Sequence, residues 1–275
     1  MVHGMHILVT IDMNYIHPLR VMLCSLLASN PGESFDVHLM HAGLPKQDIM
    51  SVSNLLHSKG HRLHNHQIDD AMFVGAPVGF HFSRAMYYRL LAPALLPGDM
   101  DRILYLDPDL LILQPIAPLY QTDMSHCVVA AAKETIPVFE AFCRLHLKLP
   151  LHYRYFNSGV MLMNLDRMRA TVTPAQISEC MRENGRNLLF PDQDLLNLLF
   201  NGEVKYIDGD AWNCDARFYG LHRILAGNSR GSERISETTA ILHFKGRWKP
   251  WRKGYAGMLK PLYMHYEALQ RGRMP

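Results

Sequence analysis

His6-Ile-Leu-Val-Thr-Ile-Asp12 is a short apolar run ending on a carboxylate, and the residues after it decide the fold. A polar loop leads into a helical apolar pattern over residues 19–28, closed by Asn30-Pro31-Gly32, so the segment predicts a strand, a loop and a helix. The alternation continues with Phe35–His41 as a strand, 46–58 as a helix and 62–68 as a third, more polar strand. Strands alternating with helices predict an α/β protein with a mostly parallel sheet. Residues 83–95 read as a further helix, stopped by Pro97-Gly98, and 103–106 as a strongly apolar strand. Beyond Asp109 the pattern loosens into strands at 110–113, 127–132 and 160–164, with helices near 137–147 and 174–184.

The chain of 275 residues is 48% hydrophobic and 19% charged, the balance of a folded globular protein rather than a disordered one. At this length one large domain or two modest ones are stable without covalent staples. The five cysteines, Cys24, Cys127, Cys143, Cys180 and Cys214, are odd in number and lack C-x-x-C spacing, which argues for a reducing compartment and against structural zinc. Neither a membrane-length apolar run nor the basic start of a signal peptide is visible, so a cytoplasmic protein is expected. Net charge is only +3, yet residues 244–275 carry eight Lys/Arg against one Glu, leaving the rest of the chain net negative. That basic, aromatic-rich tail predicts a phosphate-bearing ligand or an anionic membrane surface and not a general nucleic-acid surface, although a solvated helix explains its last dozen residues equally well.

Four segments carry candidate chemistry. In Arg102-Ile-Leu-Tyr-Leu-Asp107-Pro108-Asp109-Leu-Leu-Ile112, aliphatic residues flank two carboxylates spaced i, i+2. Charge in such surroundings needs compensation, and a divalent cation, Mg²⁺ or Mn²⁺, bridging to nucleotide phosphates would supply it. An Asp-Pro-Asp turn capping backbone amides accounts for the same residues. Asp12 and Asp107 each close an apolar strand, which directs both toward one sheet edge. In Ile241-Leu-His243-Phe-Lys-Gly246-Arg-Trp248-Lys249-Pro250-Trp251, an imidazole, a glycine and a lysine suit a metal and a diphosphate; a basic surface loop with a packed tryptophan is the alternative. Tyr155-Phe-Asn157-Ser158-Gly159 and Phe190-Pro191-Asp192-Gln193-Asp194 offer groups that a polyol would require, with Asp192 equally readable as a helix cap.

Together, in order, Thr10-Ile-Asp12-Met-Asn14-Tyr15, Tyr87-Tyr88-Arg89, Asp107-Pro108-Asp109, Phe156-Asn157-Ser158-Gly159, Asp192-Gln193-Asp194 and His243…Gly246…Lys249-Pro250-Trp251 resemble glycosyltransferase family 8 over residues 6–251. The likeness is greatest to bacterial galactosyl- and glucosyltransferases of lipopolysaccharide, with glycogenin more distant. The resemblance implies a GT-A fold, a mixed, mostly parallel sheet flanked by helices, with a catalytic domain over 1–251 and an appendage over 252–275. It also implies a UDP-hexose donor, glucose or galactose, Mn²⁺ as cofactor, a glycan or lipid-linked acceptor and retention of anomeric configuration. Carried over, Thr10, Asp12, Asn14 and Tyr15 would hold the uridine, and Arg89 the donor diphosphate and sugar. Asp107, Asp109 and His243 would bind the metal, Gly246 and Lys249 the diphosphate, and Asn157, Asp192 and Gln193 the sugar, with Gln193 nearest the anomeric carbon and Asp192 the fallback nucleophile. Where many bacterial members carry an acid after the next strand, the sequence Ala132-Lys133-Glu134 reads as a departure. An aspartate-nucleophile phosphatase and a non-catalytic nucleotide-sugar binder are the rival readings. The tail is expected to lie on an anionic membrane through Trp248, Trp251, Tyr255, Tyr263 and Tyr266, and His57, His61, His64 and His66 are expected at the surface or a sheet edge.

Overall fold

A computed structural model describes residues 4–73, 76, 83–200, 202–219 and 238–272. In chain order its strands are β1 (Met5–Thr10), β2 (Phe35–His41), β3 (Arg62–Gln67), β4 (Arg102–Leu106), β5 (Leu110–Ile112), β6 (Val129–Lys133), β7 (Phe156–Asn164), β8 (Val204–Ile207), β9 (Cys214–Asp215) and β10 (Ile241–His243). The helices are α1 (Ile16–Ser29), α2 (Lys46–His57), α3 (Ala92–Leu95), α4 (Ala117–Tyr120), α5 (Pro137–His146), α6 (Leu165–Thr171), α7 (Pro174–Asn184), α8 (Pro191–Leu199), α9 (Gly209–Trp212) and α10 (Lys260–Gln270).

Seven strands form one sheet in the order β3-β2-β1-β4-β7-β6-β8. β1 pairs in parallel with β2 and β4, while β7 runs antiparallel to both β4 and β6. The chain leaves β1 toward β2 and β3 and returns to β4 on the other side, so the crevice between the carboxyl ends of β1 and β4 is the switch point where α/β sheets bind ligands. A second, three-stranded sheet, β5-β10-β9, stands beside that crevice. Its register sets His243 against Leu110, one residue beyond Asp109, and pairs His243 with Asp215 on the other side.

Burial explains why the early strands read clearly. β2 is buried along its whole length, and its polar residues are tied down: Asp36 accepts from Arg62 Nε (2.6 Å) and Nη2 (2.7 Å) and pairs with His64. His38 lies between His6 (3.2 Å) and His66 (3.1 Å) and stacks on His64. His64 and His66 are therefore on the edge strand as expected, whereas His61 is buried, its Nδ1 accepting from Phe35 N–H. α7 starts with a reciprocal capping box between Thr173 and Gln176.

Two expectations change. Residues 83–95 do not form one α-helix: Arg84–Leu91 is a 3-10 segment, buried from Ala85 to Leu91, that meets the short α3 with Pro93 in its first turn. The tail does not present all of its aromatics to the surface: Trp248 is exposed and Trp251, Tyr255 and Tyr266 are half-buried. Tyr263 is buried in a cluster with Val21, Leu111, Leu242, Phe244 and Leu259, its ring 5.6 Å from both Phe244 and Trp251. α10 also pairs with α1 through His17 and Glu267 (2.6 Å). Apolar area removed from water is why Tyr263 turns inward. Among the described residues no helix is long and apolar enough to cross a membrane.

Candidate active site

A pocket of about 340 Å³ opens at the β1/β4 crevice. It is lined by Thr10, Asp12, Tyr15, Arg89, Asp107, Asp109, Asn157, Asp192, Gln193, His243, Gly246 and Lys249, so the structure brings together all but one of the residues singled out from sequence. Asn14 is the exception: it stands exposed on the turn after β1, where its N–H donates to Asp12 Oδ1 (2.8 Å).

Asp107, Asp109 and His243 each direct one ligand atom into a common space, the three lying within 4.8 Å of one another. His243 Nε2 is 3.2 Å from Asp109 Oδ1 and 3.7 Å from Asp107 Oδ2. Two carboxylate oxygens and an imidazole make a donor set suited to Mn²⁺ or Mg²⁺. Gly159 makes the space: a Cβ there would come 2.3 Å from His243 Cε1 and 2.8 Å from Asp107 Oδ2, so no larger residue leaves both ligands in place. The imidazole is oriented by Asn213, fully buried just before β9. Its Oδ1 lies 2.8 Å from His243 Nδ1 while its Nδ2 donates to Asn157 Oδ1 (2.9 Å). An amide oxygen only accepts, so Nδ1 carries the proton and Nε2 keeps its lone pair for a cation.

Asp107 is positioned from behind. Tyr105 O–H donates to its Oδ1 (2.6 Å), and Arg89 Nη2 reaches the same oxygen (3.2 Å) while stacking over the Tyr105 ring at 3.9 Å. Arg89 also pairs with Asp192 (3.3 Å) and donates to the Met86 and Ser158 carbonyls, so it clamps two acidic residues from a buried position. Burial pushes Asp109 upward, but Lys249 and His243 outweigh it and hold the carboxyl below the usual range. Lys249 Nζ donates to Asp109 and to the Phe244 carbonyl (2.8 Å).

The amino end of α8 supplies the far wall. Asp192 does not act as the cap: Asp194 accepts from the Leu189 (2.7 Å) and Phe190 (2.9 Å) N–H groups, freeing Asp192 for the pocket. Burial, opposed by Arg89 and assisted by Asp107, lifts the Asp192 carboxyl to about 6. Gln193 Oε1 accepts from Asn157 Nδ2 (2.9 Å) and Ser158 N–H (3.1 Å), and its Nε2 donates to Tyr155 O–H (3.0 Å). Glu134, directly after β6, is buried and lines the pocket. In the segment read as a departure, Glu134 thus brings an acid to the pocket wall. Arg217 and Lys245 also line the pocket and had no signal of their own in the sequence. Gly246, at φ +80°, sits against Arg217, where the left-handed backbone favours glycine.

The sheet order and its flanking helices give the GT-A fold. The profile of Glycosyl transferase family 8 matches residues 6–254, and the chain belongs to that family. Among curated relatives it is 27% identical over 246 residues to the lipopolysaccharide 1,2-glucosyltransferase of Escherichia coli K12, covering 88% of this chain and 71% of that one. It is 26% identical to general stress protein A of Bacillus subtilis, covering 95% and 92% of the two chains. Among solved structures, the galactosyltransferase LgtC in complex with donor and acceptor sugar analogues superposes with a TM-score of 0.83 at 24% identity, covering 98% of this chain and all of that one.

Proposed function

We propose that this glycosyltransferase is a retaining hexosyltransferase that moves glucose or galactose from a UDP-sugar to a glycan or lipid-linked acceptor with the help of Mn²⁺. The observation that carries the reading is the convergence of Asp107, Asp109 and His243 beside Lys249 at the switch point of the sheet. The relative named a lipopolysaccharide 1,2-glucosyltransferase and the solved galactosyltransferase favour a hexose, and the first of them a cell-envelope glycan. We read the protein as cytoplasmic.

In this scheme Thr10, Asp12 and Tyr15 form the nucleoside side of the pocket. Asp107, Asp109 and His243 hold the cation, which when bound supplies Lewis-acid stabilisation of the departing diphosphate. The imidazole in this set favours Mn²⁺ over Mg²⁺. Lys249 and Gly246 meet the diphosphate, the ammonium offsetting charge that grows as the glycosidic bond breaks. Arg89 works mainly through its two carboxylates, fixing Asp107 and Asp192 where they face the donor.

Gln193 is a positioning group. Its amide oxygen already accepts two hydrogen bonds and nothing beside it activates it, so it is no nucleophile. Asp192, held by Arg89, remains the only carboxylate of α8 facing the pocket. The acceptor hydroxyl then attacks from the leaving-group face and passes its proton to the departing phosphate oxygen. A phosphatase would need its first aspartate free for attack, whereas Asp107 is bound by Tyr105 and Arg89. A screen of sugar nucleotides for nucleotide release, with and without Mn²⁺, tests the reading. UDP release from UDP-glucose or UDP-galactose only when Mn²⁺ is present supports it; binding without turnover of any donor rejects it in favour of a non-catalytic binder.

A further inference from the structure

α5 carries an exposed apolar stripe that the pocket does not use. Val138, Phe142 and Leu145, spaced i, i+4 and i+7, are 82%, 52% and 63% exposed. Leu151 (77%) follows in the next turn of chain, and Leu189 (45%) lies alongside, because His146 Nε2 bonds the Asn187 carbonyl and Phe139 packs edge-on against Phe190. Five large apolar side chains grouped around one helix exceed what scattered surface residues explain. Within the segment itself the exposed charge is positive, with exposed Asp208 next in register to Lys133. Between residues 133 and 154 the exposed charges are Lys133, Lys148 and Arg154, while both acids of the segment, Glu134 and Glu140, are buried. The opposite face of the helix belongs to the site: Ile136 and Phe139 line the pocket.

We propose that this face, α5 with Leu151 and Leu189, docks on the surface of an anionic phospholipid bilayer and sets the pocket mouth against it. An apolar stripe with the exposed cations Lys148 and Arg154 beside it resembles the pattern of a helix that lies in a lipid interface, and each cation near an anionic leaflet adds to the attraction. A second copy of the chain fits the face less well, because a two-fold contact would bring Lys148 and Arg154 of both copies together. The tail is a poorer candidate, since Tyr263 is buried, Trp251 packs on it, and only Trp248 of its tryptophans is exposed. The proposal complements the lipid-linked acceptor of the preceding section, but it depends only on the surface.

Co-sedimentation with vesicles tests it in the absence of donor, metal and acceptor, so failure of the transferase reading leaves the result intact. The full chain is expected to bind vesicles of phosphatidylcholine mixed with phosphatidylglycerol, and phosphatidylcholine alone far less. Val138→Ser, Phe142→Ser and Leu145→Ser combined should lower the partition coefficient by about tenfold or more, and Trp248→Ser by less than about twofold. None of the three stripe residues lines the pocket, and circular dichroism checks that the variant folds. Should its melting point fall, Lys148→Glu with Arg154→Glu reads the charge contribution separately and should also release the protein. Absence of wild-type binding, undiminished binding of both multiple variants, or loss of binding through Trp248→Ser alone would overturn the proposal. So would light scattering that shows a wild-type dimer made monomeric by the stripe substitutions, which would assign the face to a second copy.

Discussion

Gly159→Ala isolates the metal site from the rest of the pocket. Gly159 lies in β7 with an extended backbone, so alanine meets no conformational penalty and the whole effect is steric. The added methyl would sit 2.3 Å from His243 Cε1, where ordinary contact begins near 3.4 Å, so the ring must retreat by about 1 Å. Metal–ligand distances tolerate about 0.2 Å, and Asp107, 2.8 Å from the same methyl, is pressed at the same time. The expected loss is on the order of 100-fold in Mn²⁺ affinity, or about 3 kcal/mol, against an overpacking cost to the fold of about 1–3 kcal/mol. Mn²⁺ binding followed by electron paramagnetic resonance, with a thermal melt on the same sample, separates the two. Gly43→Ala, where nothing lies within 4 Å of the new methyl, is the control. A folded Gly159→Ala protein that binds Mn²⁺ as the parent does would refute the assignment of this space to a cation.

Lys249→Ala should weaken UDP binding by roughly ten- to a hundredfold and uridine binding far less, as calorimetry with each ligand would read, because its ammonium is directed to the diphosphate side. Equal losses would mean that the lysine acts on folding through Asp109. Acid should destabilise the fold through His38, whose ring burial and neighbouring histidines depress to about 3. The unfolded chain then binds more protons between about pH 3 and 6.5, so stability rises with pH in that window. Moving from pH 7 to pH 5 should cost up to about 2 kcal/mol at this residue, and His38→Gln should flatten the dependence of melting temperature on pH. Asp36, held low near 2, adds its own loss only as pH falls below about 4, so it scarcely affects the step from pH 7 to pH 5. Removing residues 257–275 should cost more than about 4 kcal/mol, since Leu259 and Tyr263 leave Val21, Leu242 and Phe244 uncovered; an unchanged melting point would show that the tail is dispensable to the core.

The parallel half of the sheet was legible because its strands are continuous apolar runs separated by turn residues: β2 has the bounds that the pattern predicts, and β1, α1 and α2 differ only at their ends. The antiparallel half was harder. β7 begins at Phe156 and not near 160, because Asn157 and Ser158 are poor strand formers whose place in the strand is stabilised by Gln193 and Asn213. The 3-10 segment before α3 follows from tertiary packing around Arg89, which no local propensity encodes. The metal ligands were readable as strand-end residues with charge in apolar surroundings. Asn213 was not, because it meets His243 only through the two-residue β9, too short to leave a periodicity. Nor was the direction of Trp251 and Tyr263, since aromatic content alone does not distinguish a packed layer from an exposed one.

Proton NMR of the glycoside formed from a UDP-α-hexose, Mn²⁺ and a panel of simple glycoside acceptors bears most directly on the proposed transfer. An α-linked product, formed only with Mn²⁺ and lost in Asp109→Asn while the protein remains folded, is the expected result. A β-linked product, or transfer that persists in Asp109→Asn, would contradict the account.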